Sequence, residues 1–199
     1  MAAKKPPRKA PAPPDAGRLE AIAIIETISI AVGIEITDAM AKMASVEVLE
    51  STAICPGKYM VLVAGGVSEV EASLTRGMEI GGDVVADTLL IPHVHRDVFP
   101  AILGAVDVDM LEALGVVETF TVASSILAAD AAAKAARVRI LEVRVAKGLG
   151  GKGFFTMTGE VHEVEAAMEA ALEVVRRAGT LVRSVIIPRP HPTLGSVVL

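Results

Sequence analysis

The chain is written twice, and nothing else in it constrains the fold as tightly. "IETISIAVGIEITDAMAKMASVEVLE" (25–50) lies over "VETFTVASSILAADAAAKAARVRILE" (117–142) at an offset of 92 residues. Glu26 then falls on Glu118, Asp38 on Asp130 and Lys42 on Lys134. After a two-residue insertion, "GKYMVLVAGGVSEVEAS" (57–73) lies over "GKGFFTMTGEVHEVEAA" (151–167), which matches Lys58 with Lys152. Finally "IPHVH" (91–95) lies over "IPRPH" (187–191). Two diverged copies in the same order mean a tandem duplication.

Each copy reads as strand, helix, strand, strand, helix, strand. An apolar strand (21–26; 115–119) leads into an Ala-rich amphipathic helix ending near Met43 or Ala136. A second strand (46–53; 138–146) and a Gly-rich turn precede a third strand (58–64; 153–158). "GGVSEVE" or "GEVHEVE" opens the second helix, with early acidic residues favoured by the helix dipole. A last strand (87–92; 181–188) stops at a proline. The order βαββαβ predicts an α+β fold with helices on a mostly antiparallel sheet. Residues 19–104 and 105–199 are expected to form the two domains, joined by "HRDVFPAILGAVDVDMLEAL" with a short helix.

Composition narrows the class. Ala, Val and Ile must build the core, because the chain has no Trp and only five aromatic residues. Hydrophobic content is 52%, yet the longest run without an acidic or basic residue is the eleven residues 119–129. A spanning helix needs about 20, so a membrane protein is not expected. So much apolar surface on a small chain points to burial between subunits. Residues 1–18 carry a net +4 within a total of −5, which leaves the body at −9 and argues against nucleic-acid binding. This Pro/Lys-rich arm lacks the apolar stretch of a signal peptide and is expected to be disordered. A single cysteine permits no internal disulfide, and cytoplasmic residence is the default.

Motifs for catalysis are weak. Gly148, Gly150 and Gly153 spell G-x-G-x-x-G, but "FFTMT" after them is a strand, whereas a dinucleotide turn must open a helix. The stretch reads as a hairpin turn. "HVHRD" (93–97) resembles a metal motif without a third nearby histidine, and His95 recurs as His191, a scaffold position. Ser124 and Ser125 read as a helix start, and Glu26 and Glu118 as recurring structural hydrogen-bonding groups. No enzyme emerges.

"TDAMAKMASVEVLE", the "GK-strand-GG/GE-V-x-E-V-E" segment and the terminal "IPRPH" together resemble bacterial microcompartment shell proteins, and two copies in one chain resemble the tandem-domain members. The resemblance runs from about residue 20 to 191. It implies two BMC domains in non-permuted order, and a homotrimer whose six domains mimic a hexamer. Such tiles meet other shell proteins edge to edge around encapsulated enzymes, here including redox enzymes. The resemblance places Lys42, Lys134 and Arg189 at tile edges, with His93 at the position of Arg189 in the first copy. It places Cys55, Pro56, Gly57 and Lys58, and Lys147, Gly148, Gly150, Gly151 and Lys152, in loops alternating around a central pore.

With that threefold axis, one cysteine per chain becomes three at one point. Three thiolates can hold three irons of a [4Fe–4S] cluster and leave the fourth for a non-protein ligand. "ICPGK" is similar to the cluster-binding loop of iron–sulfur tandem shell proteins of propanediol-utilisation compartments, which implies that Cys55 is the ligand. The expectation is a shell tile, not an enzyme, with a cluster at its pore for electron transfer across the shell. Two alternatives stand beside it. One is a cluster-free pore that conducts small metabolites, with Lys58, Lys147 and Lys152 biasing it toward anions. The other is an α+β ligand-binding or enzyme domain that uses the Gly-rich loop 147–153.

Overall fold

The computed structural model describes residues 19–104, 106, 110–145 and 149–194. The N-terminal arm (1–18), Lys147 and Gly148 lie outside the described residues.

The first copy runs β1 (Ala21–Thr27), α1 (Ile30–Met43), β2 (Glu47–Ile54), β3 (Lys58–Gly65), α2 (Val67–Gly81) and β4 (Val85–Ile91). A short helix, α3 (Val98–Ile102), follows. The second copy repeats the order as β5 (Ala113–Thr119), α4 (Val122–Ala135), β6 (Arg139–Val145), β7 (Gly153–Gly159), α5 (Val161–Arg177) and β8 (Leu181–Pro188). The strands pair antiparallel in the spatial orders β2-β3-β1-β4 and β6-β7-β5-β8. The expected βαββαβ unit is present in both copies.

Local chemistry explains most of the boundaries. Ser29 caps α1 by accepting the Val32 N–H, and Thr121 caps α4 by accepting the Ser124 N–H. Such side chains satisfy amide groups that the first helical turn leaves without partners. The cap at Thr121 starts α4 before Ser124 and Ser125, the pair expected to begin it. β4 starts at Val85, two residues earlier than expected, because a 3₁₀ turn at Gly82–Val84 delivers the chain directly to the edge of β1. No helix among the described residues is long and apolar enough to cross a membrane.

Two apolar clusters hold the molecule together. One fills the space between the first sheet and its own helices, with Ala21, Ala23, Ile25, Ile36, Met40, Val61 and Leu74. The other is continuous across the duplication. It joins Ile22, Ile24, Met60 and Leu62, from the opposite face of the first sheet, to Val122, Ile126 and Ala129 of α4 and to the core of the second copy. An antiparallel sheet commonly keeps one face toward water. Here every residue of β1 is buried, because the second copy covers the face that its own helices leave bare.

Candidate functional site

Ile54 pairs with Lys58, so the chain reverses between β2 and β3 through Cys55, Pro56 and Gly57 alone. The Cys55–Pro56 peptide is cis, and Gly57 has φ 76, a conformation open to glycine at little cost. The Cys55 thiol is free and exposed at the tip. A Cβ added at Gly57 would meet nothing within 4 Å, so open space adjoins the thiol-bearing turn.

The corresponding loop of the second copy is longer, since β6 and β7 close at Val145 and Gly153. This is a hairpin between strands, as expected, and not a strand-to-helix nucleotide turn. Gly151 has φ 90, and a Cβ built on it would stand 2.9 Å from the Cys55 carbonyl oxygen. The Cys55 turn and the Gly-rich loop therefore touch within one chain, and a side chain at 151 would force them apart.

Lys58 and Lys152 stand at the mouths of these loops, but each is already engaged. Lys58 Nζ lies 3.3 Å from Glu26 Oε2, and Lys152 Nζ donates to Glu118 Oε1 at 2.9 Å. The geometry follows from register. Glu26 faces Met60 across the ladder, and Lys58 is two residues from Met60 on the same face of the sheet, within reach on the diagonal. Glu26 is buried, and its Oε1 has no partner among the described residues. Burial pushes its carboxyl above the ordinary range, against the pull of Lys58, and Asp87 across β4 pushes it further up. The second copy has Arg183 where the first has Asp87. Sequence reasoning recognised both glutamates as structural, but it missed their lysine partners because they depend on strand register.

The residues expected at tile edges lie at two other places. Lys42 and Lys134 occupy the last turns of α1 and α4, paired at 2.6 Å with Asp38 and Asp130. Arg189 and His93 are exposed and adopt φ 47 and 54, left-handed conformations that are uncommon outside glycine. Asp130 is a residue that sequence reasoning matched without giving it a role. It is buried, and its Oδ1 accepts the backbone N–H of His95 at 2.7 Å, so the second copy grips the last turn of the first. The recurrence of both the aspartate and the histidine was the available signal.

Among the described residues, no three His, Cys, Asp or Glu side chains converge as a metal site. A [4Fe–4S] cluster therefore does not fit one chain, whose single thiol supplies one of the ligands it needs. It fits only where thiols of several chains meet. The exposed thiol, the absence of bulk at Gly57 and the contact with a side-chain-free Gly151 are compatible with that.

Against this fold and these loops, comparison with known proteins defines the class. The BMC domain family matches residues 21–94 and again 113–190, and the chain belongs to that family as a tandem-domain microcompartment shell protein. It is similar to the bacterial microcompartment shell protein PduT of Citrobacter freundii, at 42% identity over 88% of this chain and 95% of the relative. A crystal structure of a microcompartment protein from Desulfitobacterium hafniense superposes with a TM-score of 0.86 at 44% identity, covering 89% of this chain and 99% of that one. The shell protein EutM of Salmonella typhimurium is 42% identical over 44% of this chain and 88% of its own length, as a relative with one such domain would be.

Proposed function

We propose that the chain is a structural tile of a bacterial microcompartment shell, working as a homotrimer with edge-to-edge contacts to other shell proteins inside the bacterial cytoplasm. It acts by assembly, not by turnover. We further propose that Cys55 from three protomers holds one [4Fe–4S] cluster at the centre of the trimer, with redox enzymes of the lumen as its partners. The observation that carries this reading is the exposed Cys55 thiol on a three-residue turn packed against Gly151 of the other copy. If the two loops alternate around an axis, three thiols face it, separated by three Gly-rich loops. Bound there, the cluster would supply one-electron transfer across the shell. The protein's own contribution is to hold the thiols on a three-residue turn and to keep the surrounding charge balanced through the Glu26–Lys58 and Glu118–Lys152 pairs.

The cluster-free pore draws less support. Its anion bias rested on Lys58, Lys147 and Lys152, and two of these lysines are matched by carboxylates.

Anaerobic purification of wild type beside Cys55→Ala tests the proposal. Wild type should show the broad visible absorption of a cluster and about four irons per trimer, and Cys55→Ala should show neither. Iron-free wild type after reconstitution, or equal iron in both proteins, would sink the cluster assignment and leave the tile standing.

A further inference from the structure

Both copies end in the same turn. His95 Nδ1 accepts the Asp97 N–H at 3.3 Å, and the His95 carbonyl accepts the Val98 N–H at 3.0 Å. In the second copy, His191 Nδ1 accepts the Thr193 N–H at 3.3 Å, and the His191 carbonyl accepts the Leu194 N–H at 2.9 Å. The amide of the histidine itself is where they differ. His95 donates it to Asp130 Oδ1 at 2.7 Å, while Oδ2 of that carboxylate takes Lys134 at 2.6 Å. The His191 N–H has no acceptor among the described residues. Asp38, the counterpart of Asp130, holds Lys42 on Oδ2 at 2.6 Å and nothing on Oδ1 among the described residues.

The surroundings are unmatched in the same way. Ile30, Ile34 and Ala41 form an exposed stripe on α1 with Asp38, whereas their counterparts Val122, Ile126 and Ala133 are buried with Asp130. On the second sheet, Val116 and Phe154 are half-buried and Val185 is exposed, whereas Ile24 and Met60, counterparts of the first two, are fully buried in the cluster that they share with α4. One donor, one acceptor, one helix stripe and one sheet face are thus left over, and the chain already contains the joint that uses all four.

We infer that Asp38 of one protomer accepts the His191 N–H of the next, with the α1 stripe seated on the second sheet as α4 is seated on the first. This rests on the reading that the chain assembles with its own copies, and it names the contact that does so. The joint is head-to-tail, the kind that closes into a ring when its rotation permits. It also sets two kinds of corner on the particle. Within each chain Lys134 shares the Asp130 carboxylate with the His95 amide, and Lys42 would share Asp38 with the His191 amide only where two chains join.

Selective ¹⁵N-histidine labelling reads the contact directly, because the chain has four histidines. In wild type, the His191 amide should be protected from exchange in the assembled protein and lose protection on dilution to monomer. Asp38→Ala should expose that amide and weaken association by about tenfold or more at each junction, as loss of a hydrogen bond to a charged group implies. Asp38→Asn keeps an acceptor and should retain both association and protection. A wild-type trimer with an unprotected His191 amide, or one that Asp38→Ala leaves equally tight, overturns the contact alone. A wild type that stays monomeric at every concentration overturns the assembly reading beneath it.

Discussion

The first helices of the two copies, α1 and α4, occupy the same place in the same fold and live in opposite environments. Ile34 is 56% exposed and its counterpart Ile126 is 0% exposed; Asp38 is exposed and Asp130 is buried. Each helix packs its other stripe on its own sheet, through Ile36 and Met40 in one case and Ala128 and Ala132 in the other. The difference is only whether a neighbour is present. The outer stripe of α4 joins the cluster of the first sheet, and that of α1 is left bare among the described residues. A duplicated protein thus displays, inside one chain, a finished and an unfinished version of the same joint.

The sharpest way to break the comparison is to place a charge in both stripes. Ile126→Glu buries a carboxylate without a partner and should cost on the order of 4 kcal/mol, enough to unfold the chain in a denaturant titration. Ile34→Glu should leave the monomer's unfolding midpoint nearly unchanged and abolish assembly in sedimentation velocity. Equal destabilisation by both would mean that α1 is already covered.

A smaller effect separates the helix–strand contacts. A Cβ at Gly33 would sit 2.4–2.6 Å from the Tyr59 side chain, so Gly33→Ala should cost about 2 kcal/mol by overpacking. The second copy solves the same contact in reverse, with Ser125 on the helix and Gly153 on the strand. Ser125 Oγ is buried with no partner among the described residues, so Ser125→Ala should be neutral or slightly stabilising in thermal unfolding.

The smallest expected effect concerns pH. Glu26 has a carboxyl raised by burial, so the folded state holds its proton more tightly than the unfolded chain does. Its contribution to stability is full below the unfolded value of about 4.5 and fades as pH rises through the folded value. Glu26→Gln should remove that slope, so the difference in Tm between variant and wild type should grow in the variant's favour as pH rises from about 4.5.

Much of the fold was legible because the duplication supplied an internal check. A strand at 58 and another at 153 support each other, and "GGVSEVE" over "GEVHEVE" marks the same helix start twice. Boundaries slipped where local hydrogen bonding decided them, as at Thr121 and at the turn before Val85. The turn carrying Cys55 was legible as a turn, and its contact with Gly151 was not, because nearly a hundred residues separate the two. The cluster-free alternative counts Lys58 and Lys152 as cations of the pore because the carboxylates that meet them come from a different strand.

By itself, the sequence determined the repeated βαββαβ unit, its antiparallel layers and the family, since periodicity, caps and turn residues act over a few neighbours and were written twice. The tertiary structure decided which of two equivalent surfaces is covered. Val122 and Ile30 are both apolar residues at the first turn of an amphipathic helix, and no local rule tells them apart. Only packing one copy against the other removes water from one stripe and leaves it on its twin.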